Sequence, residues 1–63
     1  MNTVVKPSIL LVDDEERILR TLTMLLRMQY QVFSTTDGNE ALKIMAKEKI
    51  NVVISDQRMP LMV

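Results

Sequence analysis

The sequence contains neither cysteine nor histidine. Disulfide bonds are therefore excluded, and so is a structural zinc site, because such sites are built from cysteine thiolates and histidine nitrogens. The chain has 63 residues, and domains below about 70–80 residues rarely bury enough apolar surface to be stable without such supports. The sequence thus allows at most one domain, and that domain must rely on a small core.

An excess of charge of one sign is also absent, because eight Lys and Arg residues balance eight Asp and Glu residues. No overall field draws the chain to nucleic acid or to a membrane surface. No apolar run approaches the ~18–20 residues of a membrane span, and Asp13 and Asp14 interrupt the first apolar run too early for a signal peptide. Hydrophobic residues make up 48% of the chain. We therefore expect a folded, cytoplasmic protein with no direct nucleic-acid or membrane partner.

Two patterns near the beginning of the chain predict a strand and a helix. Residues 9–12 form a continuous apolar run, which is typical of a strand buried on both faces. From residue 15 to residue 28, apolar side chains recur at helical spacing. The apolar face predicted for this helix consists of Ile18, Leu19, Leu22, Leu25 and Leu26.

The rest of the chain predicts a second strand, a second helix and a third strand. Residues 30–35 mix β-branched, aromatic and polar side chains, as an edge strand does. In the segment TDGNEAL, Asp37 is suited to cap a helix and Glu40 to complete a capping box. Residues 52–54 form another fully apolar strand, and Pro60 prevents simple continuation beyond it.

Strands that alternate with helices predict parallel pairing through right-handed crossovers. The two fully apolar strands should lie inside the sheet and the polar one at its edge, which gives the order 2-1-3 with one helix on each face. This order reverses the winding between strands 1 and 3. Open α/β sheets bind ligands at such a switch point, outside the carboxyl ends of the strands.

Carboxylates follow both strands at the predicted switch point: Asp13 and Asp14 follow strand 1, and Asp56 follows strand 3. Three converging carboxylates repel one another unless a cation lies between them. Oxygen ligands suit Mg²⁺, which is commonly held by one or two carboxylates together with water and phosphate oxygens. We therefore expect Asp13 and Asp14 to bind the metal, and Asp56 to attack phosphorus as a nucleophile.

Each of these acids also has an ordinary structural explanation. Taken alone, Asp13 and Asp14 are more simply explained as helix caps, and Asp13 with Glu16 matches a capping box. Asp56 alone could start a turn after a strand. The functional interpretation is favoured because two separate strands both place an Asp at the one position where the topology forms a crevice.

The segments ILLVDDE, TDGNEAL and VVISDQRMP together resemble the receiver domain of bacterial two-component response regulators, with its flavodoxin-like, CheY-like fold. The resemblance implies that Asp56 accepts a phosphoryl group from the phosphohistidine of a sensor histidine kinase. It further implies that Asp13, Asp14 and Asp56 bind Mg²⁺, with the backbone carbonyl of Arg58 as a further ligand. A receiver catalyses its own phosphorylation and dephosphorylation, so a switch is expected and not a metabolic enzyme.

The chain also departs from the receiver pattern. Receivers continue after the MP loop with roughly as much chain again, which supplies a Ser or Thr, an aromatic residue and a Lys used in signalling. We therefore expect a flexible lead-in at residues 1–7 and the first half of a receiver, truncated after strand 3, at residues 8–63. Receivers often have Gly between helix 1 and strand 2, where this chain has RMQYQV. Gln29 is then expected to end the helix in the left-handed conformation.

Two alternatives to the phosphoacceptor remain. The apolar third strand would be an unprotected edge, so the chain could form a homo-oligomer or domain-swapped dimer through strand 3. In that case the chain would be an assembly fragment without a signalling role. A phosphatase-like phosphotransferase also uses an Asp at a strand end, but it needs a D-x-D pattern that VDDEE does not supply.

Overall fold

A computed structural model describes residues 5–55 as three strands and two helices in alternation. The elements are β1 (Ser8–Val12), α1 (Glu16–Leu26), β2 (Gln31–Thr35), α2 (Gly38–Lys47) and β3 (Val52–Ser55). The three strands form one parallel sheet in the order β2-β1-β3. The predicted α/β class and the 2-1-3 order are therefore confirmed. Neither helix of this described part has the length and apolar character of a membrane-spanning segment.

β1 lies at the centre of the sheet because its side chains are apolar on both faces. Successive residues of a strand point to opposite sides, so Ile9 and Leu11 face one helix while Leu10 and Val12 face the other. These four residues are at most 2% exposed. The predicted burial of the first strand on both faces is thus confirmed.

Each helix covers one face of the sheet, as the sequence predicts. Leu19 of α1 packs on the first face with Ile9 and Leu11, and Ala41 of α2 packs on the second with Leu10 and Val12. Further partly buried side chains extend both clusters. Those on the α1 side are Leu22, Leu26, Tyr30 and Val32, and those on the α2 side are Phe33, Ile44, Met45 and Ile50.

The apolar face of α1 is wider than the surface that it covers. Ile18 and Leu25, both predicted to lie on the buried face, are 38% and 69% exposed. Leu19, Leu22 and Leu26 make the contacts with the sheet instead. Hydrophobic spacing identifies the whole apolar stripe of a helix, whereas the width of the neighbouring layer decides how much of that stripe is buried.

The end of α1 corrects another expectation. No residue between 5 and 55 has a positive φ, so the left-handed conformation expected for Gln29 is wrong. The backbone N–H groups of Gln29 and Tyr30 both donate to the carbonyl of Leu26, at 3.0 and 2.8 Å. The ammonium group of Lys6 donates to the carbonyl of Arg27 at 3.2 Å. A continuing turn and a neighbouring lysine therefore satisfy the helix carbonyls without a glycine.

β3 is the most exposed strand of the described sheet. Val52, Val53 and Ile54 are 41%, 41% and 45% exposed, although all three belong to an apolar run. Within residues 5–55, β3 pairs with β1 alone. The prediction that strand 3 is an exposed apolar edge is therefore confirmed for this part of the chain. The expectation that both fully apolar strands lie inside the sheet holds within residues 5–55 for β1 and not for β3.

Candidate functional site

The carboxyl ends of the three strands lie side by side. Val12, the last residue of β1, is the register partner of Thr35 at the end of β2 and of Ser55 at the end of β3. Asp13 and Asp14 follow Val12 directly. The fold therefore brings the acidic segment to the switch point between β1 and β3, as the sequence predicts.

The other two predicted site residues, Asp56 and Arg58, lie outside the described residues. In the sequence, Asp56 follows Ser55, just as Asp13 follows Val12. Because Val12 and Ser55 are register partners, the chain leaves both strands at the same level of the sheet. The predicted roles of Asp56 and of the Arg58 carbonyl remain predictions.

Two hydrogen bonds fix the position of Asp13. Its backbone N–H donates to the carbonyl of Thr35 at 3.3 Å, and its Oδ1 atom accepts from the backbone N–H of Glu15 at 2.9 Å. The residue is half-buried, whereas Asp14 is exposed. A carboxylate has about four lone-pair positions on its two oxygens. The bond to Glu15 therefore orients the Asp13 carboxylate and leaves acceptor capacity for a ligand.

The predicted capping box between Asp13 and Glu16 is not formed. α1 begins at Glu16 with Glu15 as its N-cap residue, and the Glu15 side chain makes no capping hydrogen bond. Asp13 lies two residues before the cap, so its carboxylate closes the loop that precedes the helix. The structural explanation for Asp13 as a helix cap is therefore wrong.

A second helix start lies beside the acidic segment, and here capping occurs. The side chain of Asp37 accepts from the backbone N–H of Asn39 at 3.0 Å, which confirms Asp37 as the cap of α2. Its own N–H donates to the hydroxyl of Thr35 at 3.1 Å. In a capping box Glu40 would accept from that N–H, so the predicted contribution of Glu40 is replaced by Thr35.

Thr35 is a site residue that the sequence patterns did not identify. It is 6% exposed, its carbonyl accepts from Asp13, and its hydroxyl binds the N–H of Asp37. It therefore links the acidic loop to the start of α2. A hydroxyl residue two positions before a capping Asp was the available signal, because short polar side chains bond to nearby backbone groups.

The described part of the site fits a hard divalent cation. Asp13 and Asp14 provide carboxylate oxygens at a strand end, and Mg²⁺ is often held by one or two carboxylates with several waters. No group of three metal-ligating side chains occurs within residues 5–55. The third predicted carboxylate, Asp56, lies beyond that range, so the fit concerns the Asp13–Asp14 pair alone.

A groove of about 640 Å³ lies between α1 and the end of β2. Arg20, Thr23, Ser34 and Thr36 contribute polar groups to it, but neither Asp13 nor Asp14 lines it. The groove therefore adjoins the candidate site and shares Thr35 with it, but it does not contain the acidic pair. The volume of the groove does not locate the candidate site, because Asp13 and Asp14 lie at the open end of a strand.

Comparison with known proteins points to a family whose members share these sequence features. Residues 9–63 match the response regulator receiver domain family. The probable transcriptional regulator ycf27 of Porphyridium aerugineum is 46% identical over 56 residues, covering 87% of this chain and 23% of that protein. The transcriptional regulatory protein GlrR of Escherichia coli K12 is 41% identical over 56 residues, covering 86% of this chain and 13% of that protein. The chain thus spans less than a quarter of these relatives.

A solved structure gives the same result for the fold. The signal receiver domain of an HD domain-containing protein from Pseudomonas fluorescens Pf-5 superimposes with a TM-score of 0.80 at 38% sequence identity. The match covers 98% of this chain and 47% of that one. The family match includes the acidic segment, β3 and all of β1 except Ser8. The chain therefore belongs to the response regulator receiver domain family.

Proposed function

We propose that this chain is a phosphoacceptor of a two-component phosphorelay, with Asp56 as the residue that receives the phosphoryl group. The observation that carries the proposal is the alignment of the ends of β1 and β3, where Val12 is the register partner of Ser55. That alignment supports a common site for Asp13, Asp14 and Asp56. A sensor histidine kinase in the cytoplasm is the proposed donor.

In the proposed reaction, a carboxylate oxygen of Asp56 attacks the phosphorus of a phosphohistidine. A phosphorus–oxygen bond forms, the phosphorus–nitrogen bond breaks, and the histidine nitrogen retains the bonding electrons. The product on this chain is an acyl phosphate. Phosphoryl transfer depends chiefly on positioning and on neutralisation of charge, so the acids at the fixed end of β1 have a part in the proposed reaction beside the nucleophile.

Asp13 and Asp14 are the residues proposed to hold Mg²⁺, together with Asp56 and the backbone carbonyl of Arg58. Bound Mg²⁺ would neutralise charge on the phosphoryl oxygens. The bond from Glu15 to Asp13 Oδ1 holds the carboxylate in one orientation before any ligand binds. This preorientation supports a role for Asp13 in binding and not in helix capping.

The decisive experiment is intact-mass measurement after incubation with Mg²⁺ and acetyl phosphate. The chain should gain one phosphoryl group, and the gain should be absent without Mg²⁺ and absent in Asp56→Asn. Glu48→Gln is the matched control, because Glu48 follows the carboxyl end of α2, away from the helix start beside the site. A folded chain that gains no mass, or an Asp56→Asn variant that gains as much as the parent, would contradict the proposal.

The exposed β3 edge favours a second candidate function, which is assembly with another copy of this chain. Val52, Val53 and Ile54 are each more than 40% exposed, and a strand with free backbone groups pairs readily with another. Two copies could join their β3 strands across a two-fold axis. Sedimentation equilibrium over a range of concentrations tests this candidate, since a concentration-independent monomer would exclude it.

A further inference from the structure

The β1–β3 pairing determines where the two halves of the proposed site meet. Asp13 follows Val12 and Asp56 follows Ser55, and the two strand ends are register partners. A shift of one residue would displace one strand end along the other by about 3.3 Å. It would also turn every β3 side chain to the opposite face. The register therefore bears directly on the proposed function.

The hydrophobic pattern of β3 does not specify that register. A strand is held in register when one of its faces is buried and the other is polar. Val52, Val53 and Ile54 are similar in shape and almost equally exposed. Turning the strand over would exchange one such side chain for another, at little cost in buried apolar surface. Some other contact has to select the observed pairing.

Asn51 makes that contact at the amino end of the strand pair. Its side-chain Oδ1 accepts from the backbone N–H of Ser8 at 2.9 Å, and its own backbone N–H donates to the carbonyl of Ser8 at 2.9 Å. Both polar backbone groups of Ser8 are therefore bonded to one residue, 43 positions away in the chain. We refer to this pair of bonds as the Asn51–Ser8 clasp.

The clasp discriminates against neighbouring registers. Moving β3 by one residue in one direction would place Asn51 opposite Pro7, which has no N–H to donate to Oδ1. Moving it in the other direction would place Asn51 opposite Ile9, which is buried in the apolar cluster beneath α1. Of these three registers, the observed one gives the asparagine amide oxygen a backbone donor at the exposed end of the strand, without bringing Asn51 beside the buried Ile9.

We propose that Asn51 is the positioning residue that sets the β1–β3 register and thereby holds Val12 and Ser55, the residues that precede Asp13 and Asp56 in the sequence, at one level of the sheet. The functional part of this inference rests on the proposed phosphoacceptor activity. Asn51 acts at the opposite end of the strands from the acids, so it touches neither the metal nor the phosphoryl group. Its influence on the site passes through the backbone of β3.

The test compares Asn51→Ala, which removes the acceptor, with Asn51→Asp, which keeps an oxygen of the same geometry. Cross-strand nuclear Overhauser contacts between β1 and β3 report the register, and exchange of the Ser8 amide proton reports the clasp. In Asn51→Ala we expect exchange of the Ser8 amide to rise roughly threefold to tenfold. We also expect contacts from more than one register. Asn51→Asp should restore the single parental register, and Asn39→Ala is the matched control on the exposed start of α2.

The functional readout is phosphoryl uptake from acetyl phosphate at saturating Mg²⁺. Asn51→Ala should lose at least half of the uptake rate while its helical circular dichroism is retained, and Asn51→Asp should recover the parental rate. A single parental register in Asn51→Ala would overturn the positioning role of Asn51. If the parent chain itself takes up no phosphoryl group, the proposed function fails, yet the register measurements still decide whether Asn51 sets the pairing.

Discussion

The hydroxyl of Thr35 and the backbone N–H of Asp37 lie 3.1 Å apart and are hydrogen-bonded. The same threonine accepts a bond from the backbone of Asp13 through its carbonyl. One buried residue therefore supports both the acidic loop and the start of α2. The geometry of the candidate site therefore depends on Thr35 as well as on the acidic residues.

Replacing Thr35 by Val should destabilise the chain by about 1–3 kcal/mol, because the N–H of Asp37 would lose its partner in a half-buried position. Thr35→Ser keeps the hydroxyl and should recover most of that loss. Urea unfolding followed by circular dichroism measures both. Thr21→Val is the matched control, since Thr21 is exposed on α1. Equal losses for Thr35→Val and Thr21→Val would contradict the role given to Thr35.

The two helix starts should respond differently to the loss of their N-cap side chains. Asp37→Ala removes an observed capping bond to Asn39 and should cost about 1 kcal/mol. Glu15 makes no side-chain capping bond, so Glu15→Ala should cost no more than a few tenths of a kcal/mol. Thermal unfolding of the two variants gives the comparison. A larger loss for Glu15→Ala would show that the acidic loop stabilises α1 in another way.

The small core should make single truncations severe. Leu10 is completely buried, and Leu10→Ala should cost about 2–5 kcal/mol. That is a large share of the stability of a domain of this size, so we expect the cooperative unfolding transition to be lost. Leu25→Ala makes the same chemical change at a side chain that is 69% exposed and should leave the transition in place. Similar behaviour of the two variants would mean that Leu10 is not central to the core.

Asp13→Asn and Asp14→Asn should each weaken Mg²⁺ binding on the order of tenfold or more, because each removes a negative charge from the proposed ligand set. Asp13→Asn retains a side-chain oxygen that can accept from Glu15, so its fold should be unchanged. Titration calorimetry with Mg²⁺ measures the affinity. Glu48→Gln should bind as the parent does. An unchanged affinity in both Asp variants would place the metal elsewhere.

A charge on the exposed strand should prevent self-association. Ile54→Lys introduces a lysine at a position that is 45% exposed, and lysine on an edge strand opposes pairing with another strand. We expect a dimer in the parent chain and a monomer in the variant by light scattering after size-exclusion chromatography. Lys43→Ile adds an apolar side chain on the exposed surface of α2. It tests whether an exposed apolar residue outside β3 also promotes self-association. A dimer that persists in Ile54→Lys would show that β3 is not the interface.

The arrangement of the sheet was predictable because the polarity of the strands differs. Ile9, Leu10 and Leu11 are apolar without interruption, which places β1 in the middle, while Gln31 and Ser34 interrupt β2 and place it at an edge. The free energy of burying a whole apolar side chain is large. The polarity of a strand therefore predicts whether it lies inside the sheet or at its edge. The position of Asp13 and Asp14 at the strand end followed from the same argument.

The errors concern features decided by single hydrogen bonds. The helix α1 starts at Glu16, so Asp13 lies too early to cap it, and a difference of this size cannot be predicted from propensities. Thr35 and Asn51 were missed because a polar side chain near a strand end has many possible partners. Which partner it takes depends on backbone geometry that the sequence pattern does not specify.

The two strand pairings close chain loops of very different length. Contact between Ser8 and Gln31 spans 23 residues, whereas contact between Ser8 and Asn51 spans 43. The longer loop costs about 0.5 kcal/mol more in closure entropy, and β3 gains less burial in return because its side chains stay more than 40% exposed. β2 should therefore join β1 early in folding and β3 should join last. Of the two strand pairings, the one that brings the ends of β1 and β3 together is then expected to form last and to open first.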